Sequence, residues 1–191
     1  MKQPNTPATK KLTTPDLVLT ALFATLTFIG TSIRIPVPAG VGAPFIHLGN
    51  SILLLAVLLI GYRKGALAGA IGFVIFDLLN GYAAEAPYFI FESFIVGGVA
   101  ILTFQAFKKK DDQPYKIAIV AVITGLAKIT MAFLKNIVVS LVAGASLRPA
   151  VIASLLSLPA TFVNCVSTVL IVTMIYYPLK KIVAAYYRSS L

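Results

Sequence analysis

The stretch from Tyr115 to Ala143, YKIAIVAVITGLAKITMAFLKNIVVSLVA, holds no proline and no acidic side chain. Such an apolar run exceeds the roughly 20 residues that carry a helix across a bilayer, so it predicts a transmembrane helix that tilts or projects. Beyond Lys116 at its start, two lysines, Lys128 and Lys135, stand deep inside it, seven residues apart on one helical face. A charge at that depth is costly and needs a partner, a ligand or water.

Working outward, five more apolar segments can be read: Asp16–Ile33, Leu48–Tyr62, Gly65–Asn80, Tyr88–Phe107 and Val151–Tyr177. With the N-terminus in the cytoplasm, Lys2, Lys10, Lys11, Arg63, Lys64, Lys108, Lys109, Lys110, Lys116, Lys180, Lys181 and Arg188 all fall inside, and only Arg34 and Arg148 fall outside. This asymmetry over short loops orients the chain. The predicted fold class is all-α: a polytopic membrane protein with six transmembrane helices and cytoplasmic N- and C-termini. Residues 1–15 form a cytoplasmic tail, 16–177 a single transmembrane domain and 178–191 a basic cytoplasmic tail. Residues 34–47 form an outer lid loop, and 108–114 a cytoplasmic hinge. The first segment is longer than the apolar core of a signal peptide and is read as a retained helix.

Mean hydropathy of +0.94 with 12% charged residues excludes an ordinary soluble domain. The net charge of +10 sits in twos and threes at helix ends, which argues against a nucleic-acid partner. The single cysteine, Cys165, cannot form an internal disulfide. No P-loop, His-Glu-x-x-His or Gly-x-Ser-x-Gly pattern occurs, so neither catalytic residues, nor a metal, nor a cofactor is expected.

Punctuation refines the picture. Thr14 or Asp16 can cap the first helix, with Pro15 at its start. The run Ile35-Pro-Val-Pro-Ala-Gly-Val-Gly-Ala-Pro44 excludes a helix but is too apolar for a solvated linker; it is expected to fold over the outer surface. Gly65 with Gly69, and Ala66 with Ala70, allow close helix packing. Pro178 is expected to end the sixth helix.

Depth follows from about 1.5 Å of rise per helical residue. Asp77 and Asn80 lie near the outer end of segment three, and Glu92 about one turn below the outer end of segment four. Lys135 and Asn136 lie in the outer half of segment five, with Lys128 nearer the midplane. Ser157, Thr161, Asn164 and Thr168 fall on one face of segment six. His47 starts segment two at the outer surface. One reading pairs Lys135 with Glu92 or Asp77 and lets the Ser/Thr stripe bond to its own backbone. The other, favoured by the shared depth beneath a lid, is a binding site with Tyr82, Tyr88 and Phe91 available for stacking.

Six helices, cytoplasmic ends and an apolar outer first loop resemble the substrate-binding S component of energy-coupling-factor (ECF) vitamin transporters. The stretches Phe45-Ile-His-Leu-Gly-Asn50, Gly65-Ala-Leu-Ala-Gly-Ala-Ile-Gly72 and Asp77-Leu-Leu-Asn-Gly-Tyr82 with Ala86-Pro87 are similar to the riboflavin-type group, which includes relatives for pyridoxine and hydroxymethylpyrimidine. The resemblance implies a prokaryotic plasma-membrane subunit that is not an enzyme. It captures a small water-soluble vitamin or precursor and joins a membrane coupling (T) subunit and two cytoplasmic ATPase subunits. His47, Asp77, Asn80, Tyr88, Glu92, Lys135, Asn136, Thr161 and Asn164 are the expected substrate-binding residues. Thr20 with Ala24 and Ala21 with Thr25 are the nearest matches to the family's Ala-x-x-x-Ala coupling motif. The alternative is a self-sufficient carrier using Asp77 or Glu92 as a proton site.

Overall fold

The structure, a computed structural model, describes residues 12–37, 44–107 and 113–189. The first eleven residues of the expected tail, the middle of the lid (38–43) and most of the hinge (108–112) lie outside the described residues. The protein is all-α apart from one short hairpin: α1 (Thr14–Ser32), β1 (Arg34–Pro36), β2 (Phe45–His47), α2 (Gly49–Ile60), α3 (Tyr62–Leu79), a 3-10 turn (Ala83–Glu85), α4 (Ala86–Ala106), α5 (Pro114–Val142), α6 (Leu147–Leu156) and α7 (Leu158–Ser189). The helices spanning Thr14–Ser32, Ala83–Ala106, Pro114–Val142 and Leu147–Ser189 are long and apolar enough to cross a membrane. The fold is that of a multi-pass membrane protein.

The cap of α1 lies one residue before the expected pair. Thr13 accepts the Asp16 amide, while the Asp16 carboxylate accepts the Thr13 amide at 3.1 Å, a reciprocal box that satisfies two otherwise orphaned donors. Gly61, at φ 91°, breaks the chain between α2 and α3; the positive φ suits glycine because a Cβ would be strained there. The close approach expected of α3 is present. A Cβ on Gly65 would lie 2.3 Å from the Val57 backbone nitrogen, and one on Gly72 would lie 2.6 Å from the Ala24 carbonyl oxygen.

α2 holds the centre. At 12 residues it rises only about 18 Å, less than the hydrocarbon thickness, and α1, α3, α4 and α7 surround it. Its long buried run, Leu53 to Leu58, forms the middle of the apolar core with Phe23, Phe73, Val120, Val172 and Tyr176.

Two expectations are corrected. The segment Val151–Tyr177 is not one helix, because the chain breaks at Ser157 between α6 and α7. Pro159, the second residue of α7, has no amide to return to the Leu155 carbonyl, so the helix cannot run on unbroken and a new start is favoured there. Nor does Pro178 end the helix: it lies inside α7, which continues to Ser189. One lost backbone bond is outweighed by what lies beyond it. Leu179, Val183, Tyr186 and Tyr187 pack on the core, and the Tyr187 hydroxyl donates to Asp16 at 2.8 Å. The segment 178–189 is therefore part of the bundle rather than a separate tail.

Asp16 also pairs with Lys64. This three-way knot fastens the start of α1, the start of α3 and the end of α7 at one end of the molecule. The hairpin, the 3-10 turn and the ends of α3 and α5 gather at the other.

Candidate functional site

β1 and β2 pair antiparallel, with Arg34 opposite His47 and Pro36 opposite Phe45. The hairpin is tied down on two sides. The Leu48 amide donates to the Gly30 carbonyl at 2.9 Å. On the other side, Asn164 of α7 grips the β2 backbone: its Oδ1 accepts the His47 amide at 2.8 Å, and its Nδ2 donates to the Phe45 carbonyl at 2.9 Å. The side chain is buried, so it acts as an additional strand edge for β2.

Beneath the hairpin lies a cavity of about 100 Å³, room for several waters. Phe45, Tyr82, Tyr88 and Phe89 supply its aromatic surfaces. Two ion pairs line it, joining α5 to α4 and to the 3-10 turn. Lys128 donates to Glu92, which also accepts the Tyr88 hydroxyl at 2.6 Å. Lys135 donates to Glu85 at 2.8 Å and lies 5.2 Å from the Tyr88 ring centroid, a cation–π contact.

Of the residues singled out from sequence, His47, Asp77, Tyr88, Glu92, Lys135, Asn136, Thr161 and Asn164 line this cavity, as do Lys128 and Ser157. Asn80 does not: it is exposed and accepts a hydrogen bond from Arg34 at 3.2 Å. Phe91 is 68% exposed on the outer face of α4; Phe89, two residues earlier, takes the inward place. Lys135 pairs with neither Glu92 nor Asp77 but with Glu85, in the 3-10 turn that precedes α4. Lys128 belongs to the same cavity, two turns below Lys135, rather than lying beneath it. Of the Ser/Thr/Asn stripe, Thr168 lies deeper and accepts from Ser51 at 3.2 Å. Cys165 packs against Gly125.

His47 has a defined electrostatic state. Its Nδ1 accepts the Gly49 amide at 3.2 Å, which leaves Nε2 to carry the proton of the neutral ring. Burial holds its pKa down to about 3 from the ordinary 6.5, and the Lys128 charge adds to the effect. Below, a pocket of about 20 Å³ touches both Lys128 and Asn50. Neither amide atom of Asn50 has a partner among the described residues. Sequence reading passed over Asn50, Glu85 and Phe89. A polar residue in the first turn of an otherwise apolar segment, and an acid three residues before Tyr88, were the available signals.

On α1, Ala21 and Thr25 are exposed one turn apart, and Thr20 is half-buried. Ala24 turns inward, 5% exposed, against Gly72 of α3. Of the expected coupling residues it is therefore not on a face open to another chain.

A multi-pass bundle with a roofed, charged and aromatic cavity at one end defines a membrane-embedded small-molecule-binding protein. The model of the ECF-type riboflavin transporter S component family matches residues 11–181, and the chain belongs to that family. It is accordingly a vitamin-type substrate-binding subunit of an ECF transporter, a transport component rather than an enzyme. Its working partners are the T and ATPase modules. No curated protein and no solved structure matches the chain significantly.

Proposed function

We propose that this S component captures a one-ring aromatic vitamin or vitamin precursor, with pyridoxine or hydroxymethylpyrimidine as the first choices, in the cavity beneath the hairpin. The observation that carries the reading is the company this cavity keeps. Four aromatic side chains, two ion pairs and the neutral His47 ring surround one small space. Aromatic faces take a flat ring, and the fixed donors and acceptors orient its polar substituents. In this reading His47, Asp77, Tyr88, Glu92, Lys135, Asn136 and Thr161 meet the substrate together with Lys128, and Asn164 holds the roof. Ala21 and Thr25 present the small-residue face on which a helix of the coupling subunit packs.

Isothermal titration of the purified chain against pyridoxine, hydroxymethylpyrimidine and riboflavin tests this directly. Heat is expected from a one-ring compound without ATP or partner subunits. Binding of riboflavin alone, or of none of the three by a cooperatively melting preparation, would overturn it. Uptake that survives loss of the ATPase module but collapses with a protonophore would favour a self-sufficient carrier instead.

A further inference from the structure

The cavity's ionisable groups are not all paired. Two lysines and three carboxylates line it. Lys128 is taken by Glu92 and Lys135 by Glu85, and the His47 ring is neutral. That leaves Asp77, which is 3% exposed and has no cation in contact among the described residues. Its Oδ2 is buried without a hydrogen-bond partner. Asp77 also sits in the last turn of α3, where the helix dipole presents its negative end and opposes a carboxylate. Burial, dipole and the missing partner all penalise a negative charge here, so a cation or a strong N–H donor arriving in the cavity gains what the apo site lacks.

Resting on the reading above, we propose that Asp77 is the specificity-determining residue of the site and selects ligands that carry a basic nitrogen on or beside an aromatic ring. A protonated ring nitrogen or amino group donates to the Asp77 carboxylate in a charge-assisted hydrogen bond. The ring faces lie against Phe45, Tyr82, Tyr88 or Phe89, whose π-surfaces also attract positive charge. A ligand of the same shape with carbon in place of that nitrogen leaves the buried carboxyl unanswered. Arg34 does not fill this place: its guanidinium lies over Phe76 at 4.8 Å, Phe45 at 5.1 Å and Tyr82 at 5.6 Å, occupying one side of those rings, and bonds to Asn80.

The test is a pair of matched titrations on the purified full chain. Pyridoxine is compared with its benzene analogue, in which the ring nitrogen is replaced by CH. Hydroxymethylpyrimidine is compared with the analogue whose amino group is replaced by methyl. Each is run on wild type, Asp77→Asn and Asp77→Glu, with a thermal melt of every preparation. In the wild type the basic member of at least one pair is expected to bind about tenfold or more tightly. That ratio falls to near unity in Asp77→Asn, which keeps the shape, and partly returns in Asp77→Glu, which keeps the charge. Equal binding of basic and neutral members by wild type overturns the inference and leaves the proposed function standing. So does a preference that persists undiminished in a folded Asp77→Asn. If no one-ring compound binds folded wild type, both readings fail.

Discussion

Replacing Asn164 by alanine removes two hydrogen bonds at once and leaves the His47 amide and the Phe45 carbonyl without their partners. A typical bond contributes about 0.5–1.5 kcal/mol net, and a buried group left unsatisfied costs about 1–3 kcal/mol. With partial relief from water at this end of the molecule, the docked hairpin should lose about 2–4 kcal/mol. If ligand requires the docked hairpin, affinity falls by the fraction of empty protein that becomes undocked, up to roughly thirtyfold to a thousandfold when the wild-type hairpin is only marginally docked. Titration calorimetry reads the affinity. Amide hydrogen exchange at His47, followed without ligand, reads the clamp itself. The expected result is weaker binding together with faster exchange at His47 in the empty protein. Lost affinity with unchanged exchange would mean that Asn164 touches the ligand directly, and the clamp argument would be refuted. Unchanged affinity and unchanged exchange would show that Asn164 is dispensable in both roles.

Three further outcomes are expected. Ala24→Trp should lower the melting temperature, because its backbone already meets α3 at Gly72 and overpacking costs about 1–3 kcal/mol; Ala21→Trp should preserve melting and ligand affinity but abolish co-purification with the coupling module, and co-purification of both variants would remove α1 from the interface. Gly65→Ala should destabilise the bundle by a similar amount, about 1–3 kcal/mol, since the new Cβ would meet Val57 backbone rather than a movable side chain; a melting temperature equal to wild type would show that α2 and α3 can separate freely. The depressed pKa of His47 means that the fold rejects a proton the unfolded chain accepts, so its contribution to stability is complete above about pH 6.5 and is lost as pH falls from there toward about 3. His47→Gln should therefore show a smaller fall in melting temperature than wild type between about pH 7 and pH 4, and parallel curves would dismiss the histidine as the cause.

Much of this architecture is legible in the sequence because a bilayer leaves few options for a polar backbone. Apolar length marks the helices, and rise per residue gives depth, so Asp77, Glu92, Lys135 and Asn136 could be placed at one level before their neighbours were known. Depth does not give rotation. Which carboxylate meets which lysine depends on how α4 and α5 are turned against each other, and for that reason Lys135 went to Glu85, a residue outside every apolar segment. The same ambiguity put Phe91 inward in place of Phe89. Asn164 was visible as a polar residue on a stripe, but its role required knowing that a strand would lie across it; three-residue strands carry almost no periodic signal. Pro178 misled because a local rule was outweighed by distant contacts, those of Leu179, Val183 and Tyr187.

The shortness of α2 has a consequence for biogenesis. A helix of 12 residues is poorly matched to hold its own place across a bilayer, and Ser51 in its first turn finds its hydroxyl partner in Thr168, more than a hundred residues later in the chain. The Ser51 hydroxyl is answered only once α7 has emerged. The element at the geometric centre is thus among the last to reach its native surroundings, and a nascent chain stalled before α7 would present Asn50 and Ser51 to lipid, a ready mark for quality-control proteolysis.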